Sequence, residues 1–159
     1  MSARRSFLAA LVALLALPRR TLAQPSVNPA PGVDARMLNT PQGTLESILK
    51  GAPMRKGRVH LELPSVAENG HSVGMTVRVD SPMSDADHVR RIDLIADKNP
   101  VPLVATFFLG PESGRAEIES RLRLNGTQRV TAIALLSDGS FWFDAADVVV
   151  NELACLDAG

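Results

Sequence analysis

From Gly57 to Val150, apolar side chains recur at every second position in one short segment after another, and this constrains the chain more than any other feature. Val59, Leu61 and Leu63 alternate with His60 and Glu62, and Val73, Met75, Val77 and Val79 alternate with Gly74, Thr76 and Arg78. A period of two turns successive side chains to opposite faces, so these segments are half-buried strands. Further strands are expected at Val89–Ala96, Val101–Leu109, Ala116–Leu124, Gln128–Ser137 and Ser140–Val150. Asn125-Gly126 and Asp138-Gly139 lie between alternating runs, and both pairs tolerate positive φ, so each predicts a tight hairpin. Asn99-Pro100 and Gly110-Pro111 break the chain elsewhere. About seven strands in roughly 100 residues predict an all-β fold, an immunoglobulin-like antiparallel β-sandwich. One short helix precedes it, because Leu45, Ile48 and Leu49 within Thr44–Lys50 follow the i, i+3, i+4 spacing and Gly51 and Pro53 end the run.

The first 23 residues have a different character. Arg4 and Arg5 precede an apolar run of eleven residues, Phe7 to Leu17, and Thr21-Leu22-Ala23 follows as a cleavage site. Eleven helical residues rise about 16 Å, half of the hydrocarbon thickness, so the run is a secretory leader and not an anchor. Arg4-Arg5-Ser6-Phe7-Leu8 has the pattern of a twin-arginine signal, which predicts export to the periplasm. Its removal takes away four arginines and no acid, so 13 basic against 17 acidic residues leave a net charge of −4. A mildly acidic chain lacks the basicity that draws proteins to nucleic acid, and no membrane segment is expected in the mature form. Gln24 to Gln42 contains Pro25, Pro29, Pro31, Gly32 and Pro41 without apolar periodicity, and is expected to be a flexible lead. The divisions expected are therefore 1–23 leader, 24–42 lead, 43–150 sandwich and 151–159 carboxyl-terminal arm.

The chain has a single cysteine, Cys155, on that arm, which excludes an internal disulfide and a cysteine-built zinc site. A free thiol in an oxidising compartment is buried, paired with another chain, or used. Its place past the last strand points to use, through the nucleophilicity of the thiolate. An incidental cysteine is the plainer alternative. An enzyme built on Cys155 needs a base, and His60, His71 and His88 are available, but each is expected to decorate a strand face or a loop. His60 with Glu62 is one His-x-Glu without a second pair of metal ligands. Glu68, Asp85 and Asp87 read as solvated loop carboxylates, and Asn125-Gly126-Thr127 as a glycosylation sequon explained by the turn. No nucleophile elbow, phosphate loop or dinucleotide fingerprint occurs, so neither a cofactor nor a metal is expected.

Several segments resemble the SoxY family of sulfur-carrier subunits. They are Glu68-Asn69-Gly70, Val77 to Met83, Asp87 to Ile92, Asp97-Lys98-Asn99-Pro100, Ala105-Thr106-Phe107, Ser120 to Leu124 and Leu136 to Phe141. The resemblance runs in order from about Leu45 to Cys155. It implies a carrier for thiosulfate oxidation in place of an enzyme. Such a carrier has an immunoglobulin-like sandwich paired with a SoxZ-like subunit. It holds sulfur intermediates covalently on a cysteine near the carboxyl terminus and serves separate periplasmic sulfur-oxidising enzymes. Cys155 matches that cysteine. The family's arm is Gly-Gly-Cys-Gly-Gly, whereas this chain has Leu153-Ala154-Cys155-Leu156-Asp157, bulkier on both sides of the thiol. A divergent binding or scaffold module, set beside another periplasmic oxidation system such as a dehydrogenase and with a dispensable cysteine, is the alternative. The unfilled strand edges and the apolar helix at Leu45–Leu49 are expected to seek the second chain.

Overall fold

A computed structural model describes residues 39–151. The leader, nearly all of the lead, and the arm from Glu152 onward with Cys155 lie outside the described residues.

The helix α1 spans Pro41–Leu49, three residues longer at its start than the periodicity predicts. Pro41 opens the helix instead of ending the lead. Proline suits the first helical position, where its missing N–H has no intrahelical partner. Thr40 caps it, its hydroxyl accepting a hydrogen bond from the Gly43 N–H at 3.1 Å. Lys50, left-handed at φ 50°, closes the other end by donating its N–H to the Glu46 carbonyl.

Among the described residues nine strands follow: β1 Met54–Arg55, β2 Val59–Glu62, β3 Val66–Ala67, β4 Val73–Val79, β5 Val89–Ala96, β6 Leu103–Phe108, β7 Glu117–Leu122, β8 Gln128–Leu136 and β9 Phe141–Val150. They form two sheets. The larger runs β1-β9-β8-β5-β6, with β3 also on β9, and the smaller runs β2-β4-β7. The two-residue strands β1 and β3 were not expected, being too short for alternation to register. Both pair in parallel with β9, a departure from the all-antiparallel plan.

The inner faces meet as the alternation demands. Val59, Val73, Met75, Val77 and Val79 of the small sheet pack against Ile92, Leu94, Val130, Ala132, Ala134, Leu136 and Val148 of the large one. Each fully buried aliphatic of this kind contributes about 2 kcal/mol. Strand β5 departs from alternation, with five consecutive buried residues from Ile92 to Ala96. The cause is α1. Leu45, Ile48 and Leu49 pack on Ile95, Ile133 and Phe141, so the helix covers part of the large sheet's outer face. The helix's apolar side, expected to seek a second chain, is thus satisfied within its own.

The two Asx-Gly turns differ. Asp138-Gly139 makes the predicted hairpin between β8 and β9, with Gly139 at φ 82° and the Ser140 N–H donating to Asp138 Oδ1 at 2.8 Å. Asn125-Gly126 does not make one. Its flanking strands belong to different sheets, β7 pairing with β4 and β8 with β5 and β9, so the turn carries the chain across the sandwich. Gly126 has the positive φ expected, 80°. The following chain joins the opposite layer, where β8 pairs with β5 and β9.

Candidate functional site

The sequence places Cys155, the thiol expected to be used, four residues beyond Asn151, so the described part of the candidate site is the end of β9 from which the arm departs. Strand β9 arrives there held on both sides. On one, the Val149 N–H donates to the Ser65 carbonyl at 2.9 Å and the Asn151 N–H to the Ala67 carbonyl at 3.1 Å. On the other, the Thr127 hydroxyl accepts from the Val150 N–H at 3.0 Å and donates to the Val150 carbonyl at 3.4 Å. Both backbone groups of the last strand residue are engaged, which suppresses fraying at the exit point.

Beneath this end of β9 lies a buried amide. Gln128 is 5% exposed, its Oε1 accepting from the Lys98 N–H at 2.8 Å while its Nε2 donates to Asn99 Oδ1 at 3.0 Å and the Gly126 carbonyl at 3.3 Å. Asn99 Oδ1 also accepts from the Asn125 N–H at 2.9 Å. This network ties the β5–β6 turn to the inter-sheet crossing. Thr127 and Gln128 were not singled out as site residues from sequence. Thr127 appears there only as the last member of a glycosylation sequon, and its hydroxyl is committed to Val150.

One strand turn earlier, Arg129 forks onto Asp147, Nε to Oδ1 and Nη2 to Oδ2, both at 3.0 Å. The guanidinium holds the Asp147 carboxyl below the usual carboxylate range. Burial raises Asp97 nearby, with the Arg129 charge opposing that shift.

The histidines are engaged separately. His60 Nε2 lies 2.7 Å from Asp80 Oδ2, and that hydrogen bond is the main cause of a lowered Asp80. His71 lies in the β3–β4 loop with Nδ1 3.4 Å from the Arg123 guanidinium, and His88 Nδ1 is 3.0 Å from the Ser84 carbonyl. Among the described residues no group of three or more His, Cys, Asp or Glu side chains is placed to hold a metal ion. Asp87 corrects an expectation: it is no free loop carboxylate but takes the Arg58 guanidinium on both oxygens, at 3.0 and 3.2 Å. No described helix is long and apolar enough to cross a membrane.

A two-layer immunoglobulin-like sandwich, with its last strand pinned at the point where an arm begins, is the class of protein these features define. The profile of the family described as "Sulfur oxidation protein SoxY" matches residues 45–155, and the chain belongs to the SoxY family. Among solved structures, the sulfur carrier protein SoxY from Chlorobium limicola f thiosulfatophilum is similar, with a TM-score of 0.57, 22% identity, and 67% of this chain and 88% of that chain covered. A superoxide reductase (neelaredoxin) from Ignicoccus hospitalis aligns with a TM-score of 0.53 at 15% identity, covering 69% and 86%. A putative superoxide reductase from Thermotoga maritima aligns at 0.51 and 17%, covering 60% and 86%. At these identities the likenesses show a shared fold. No curated protein matches the chain.

Proposed function

We propose that the chain is a periplasmic sulfur carrier: Cys155 holds sulfur intermediates covalently during thiosulfate oxidation, and the sandwich works paired with a SoxZ-like subunit. Family membership supports the sulfur-oxidation role. The observation that carries the reading is the pinned end of β9. With Val150 and Asn151 fixed to Thr127 and Ala67, the four peptide units to Cys155 let its Cα range no more than about 14 Å from that of Asn151. A thiol on so short a tether stays close to the sandwich while being presented to an enzyme that docks there, which raises the effective concentration of its cargo. A carrier of this kind uses the active sites of separate enzymes and has no need of a base of its own. Leu153, Ala154, Leu156 and Asp157 then call for partner channels wider than those that accept a glycine arm.

The test is mass analysis of the arm peptide from cells oxidising thiosulfate, with the native partners present. Mass increments on Cys155 that a thiol reductant removes are expected, together with loss of thiosulfate oxidation in a Cys155→Ala strain. An unmodified arm and full oxidation by the variant would overturn the carrier reading in favour of a scaffold with a dispensable cysteine.

A further inference from the structure

Helix α1 covers only part of the large sheet's outer face. Leu45, Ile48 and Leu49 pack on Ile95, Ile133 and Phe141, and a strip along β5 and β6 stays open beside the helix. Two cross-strand rows run from the covered part into that strip: Phe141, Leu135, Arg91 and Phe108 in one, and Ile133, Asp93 and Thr106 in the next. Between the last turn of α1 and β6 lies a crevice of about 460 Å³. Ile48, Leu103 and Phe108 give it apolar walls, and Arg91, Asp93 and Lys50 bring charge to it.

The polar side chains of the crevice are unevenly engaged. Asp93, whose side chain is 4% exposed, accepts from Arg91 Nε on one oxygen at 2.7 Å and from the Thr106 hydroxyl on the other at 2.9 Å. The Ser47 hydroxyl donates to the Thr44 carbonyl at 2.7 Å. Arg91 gives Asp93 only its Nε, and among the described residues neither its two Nη groups nor the Lys50 ammonium has a partner. The side-chain donors left over are therefore cationic, and two cations against one carboxylate give the lining a net charge of +1. A guanidinium held on one side by a buried carboxylate is oriented in advance, and its remaining Nη pair matches the two oxygens of a second carboxylate.

We propose that this crevice binds a small organic carboxylate with an apolar body, the head on Arg91 and Lys50 and the body between Ile48 of the helix and Leu103 and Phe108 of β6. The volume falls in the range of small-molecule sites, about 300 to 1,000 Å³. An inorganic anion satisfies the cations but leaves Phe108, 80% exposed, and Leu103, 37% exposed, in water. A neutral apolar molecule covers those walls but takes water from the Arg91 Nη groups without supplying an acceptor. Only a ligand with both parts answers the whole lining. The site makes no use of Cys155 and stands separately from the carrier reading.

The test is calorimetric titration of residues 24–159 with octanoate, for which saturable 1:1 binding with a Kd of about 1 mM or below is expected. Octanamide, which keeps the body and loses the charge, and sulfate, which keeps charge without the body, should each bind at least about tenfold more weakly. Lys50→Asn removes a cation while asparagine tolerates the left-handed cap, and Phe108→Ala removes an exposed wall. Each should weaken octanoate severalfold and leave the melting temperature unchanged. The Arg91 Nε–H resonance should shift during the titration, which reads the guanidinium without a variant that would bare Asp93. No saturable uptake up to about 10 mM would overturn the proposal. So would octanamide binding as tightly as octanoate, an affinity indifferent to both variants, or a partner protein's segment found seated in the crevice with octanoate excluded.

Discussion

The Thr127 hydroxyl engages both backbone groups of Val150, one residue before the end of the described chain at Asn151. Removing it leaves the Val150 N–H without its partner at a partly buried position, at a cost of about 1 kcal/mol. Thr127→Val is therefore expected to lower global stability slightly and to speed hydrogen exchange at the Val150 amide by several fold, with exchange in the centre of β8 unchanged. Equal exchange at Val150 in both proteins would show that the hydroxyl does not hold the seat of the arm.

The inter-sheet core depends on residues with no exposure at all. Leu94 is one, facing the small sheet from the middle of β5. Leu94→Ala should cost about 2 to 5 kcal/mol, read as a shifted midpoint in urea unfolding with the slope retained.

Asp93 is 3% exposed, with Arg91 Nε donating to its Oδ2 at 2.7 Å and the Thr106 hydroxyl donating to its Oδ1 at 2.9 Å. Replacing the carboxylate with an amide keeps one hydrogen bond and strips the guanidinium of its counter-charge. Asp93→Asn is expected to destabilise the fold by about 1 to 3 kcal/mol, whereas the exposed Asp85→Asn should be neutral in the same denaturation assay.

The Arg129–Asp147 fork gives a pH signature. Asp147 is held below its unfolded value, so its contribution is fully present above the ordinary aspartate range and disappears as pH falls through the lower folded value. Asp147→Asn should melt slightly below the parent at pH 7, and the gap should begin to close as the pH falls below the unfolded aspartate value near 3.9 and go on closing through the lower folded value. Both groups lie in solvent, so added salt should shrink the gap at neutral pH.

The helix cap offers a local test. Thr40→Ala removes the acceptor for the Gly43 N–H and should cost about 1 kcal/mol, while Thr40→Asp should retain stability. Thermal melts of the three proteins separate the cases.

Much of this architecture is legible in the chain because its signals are local. Strand β4 is buried at Val73, Met75, Val77 and Val79 and open between them, in the phase its alternation states. Asp138-Gly139 turns where its tolerance of positive φ lets two neighbouring strands close. Pro41 misleads for a local reason too: the residue that breaks a helix interior is favoured at its first position, and only the Thr40 cap tells the two apart. The candidate site was legible only as the position of Cys155, because its supports come from distant stretches: Thr127 is 23 residues from Val150 and Ser65 still further.

The amino-acid order by itself determined the strand segments, the side of each that faces inward, the single thiol near the carboxyl end and the family to which the chain belongs. Tertiary structure alone decided that Asn125-Gly126 crosses between sheets, that Met54–Arg55 and Val66–Ala67 add to β9 in parallel, and that α1 covers the outer face of the large sheet. Periodicity and turn chemistry act within a few residues, whereas the choice of strand partner depends on which remote apolar faces close together, a free energy that no short stretch of sequence contains.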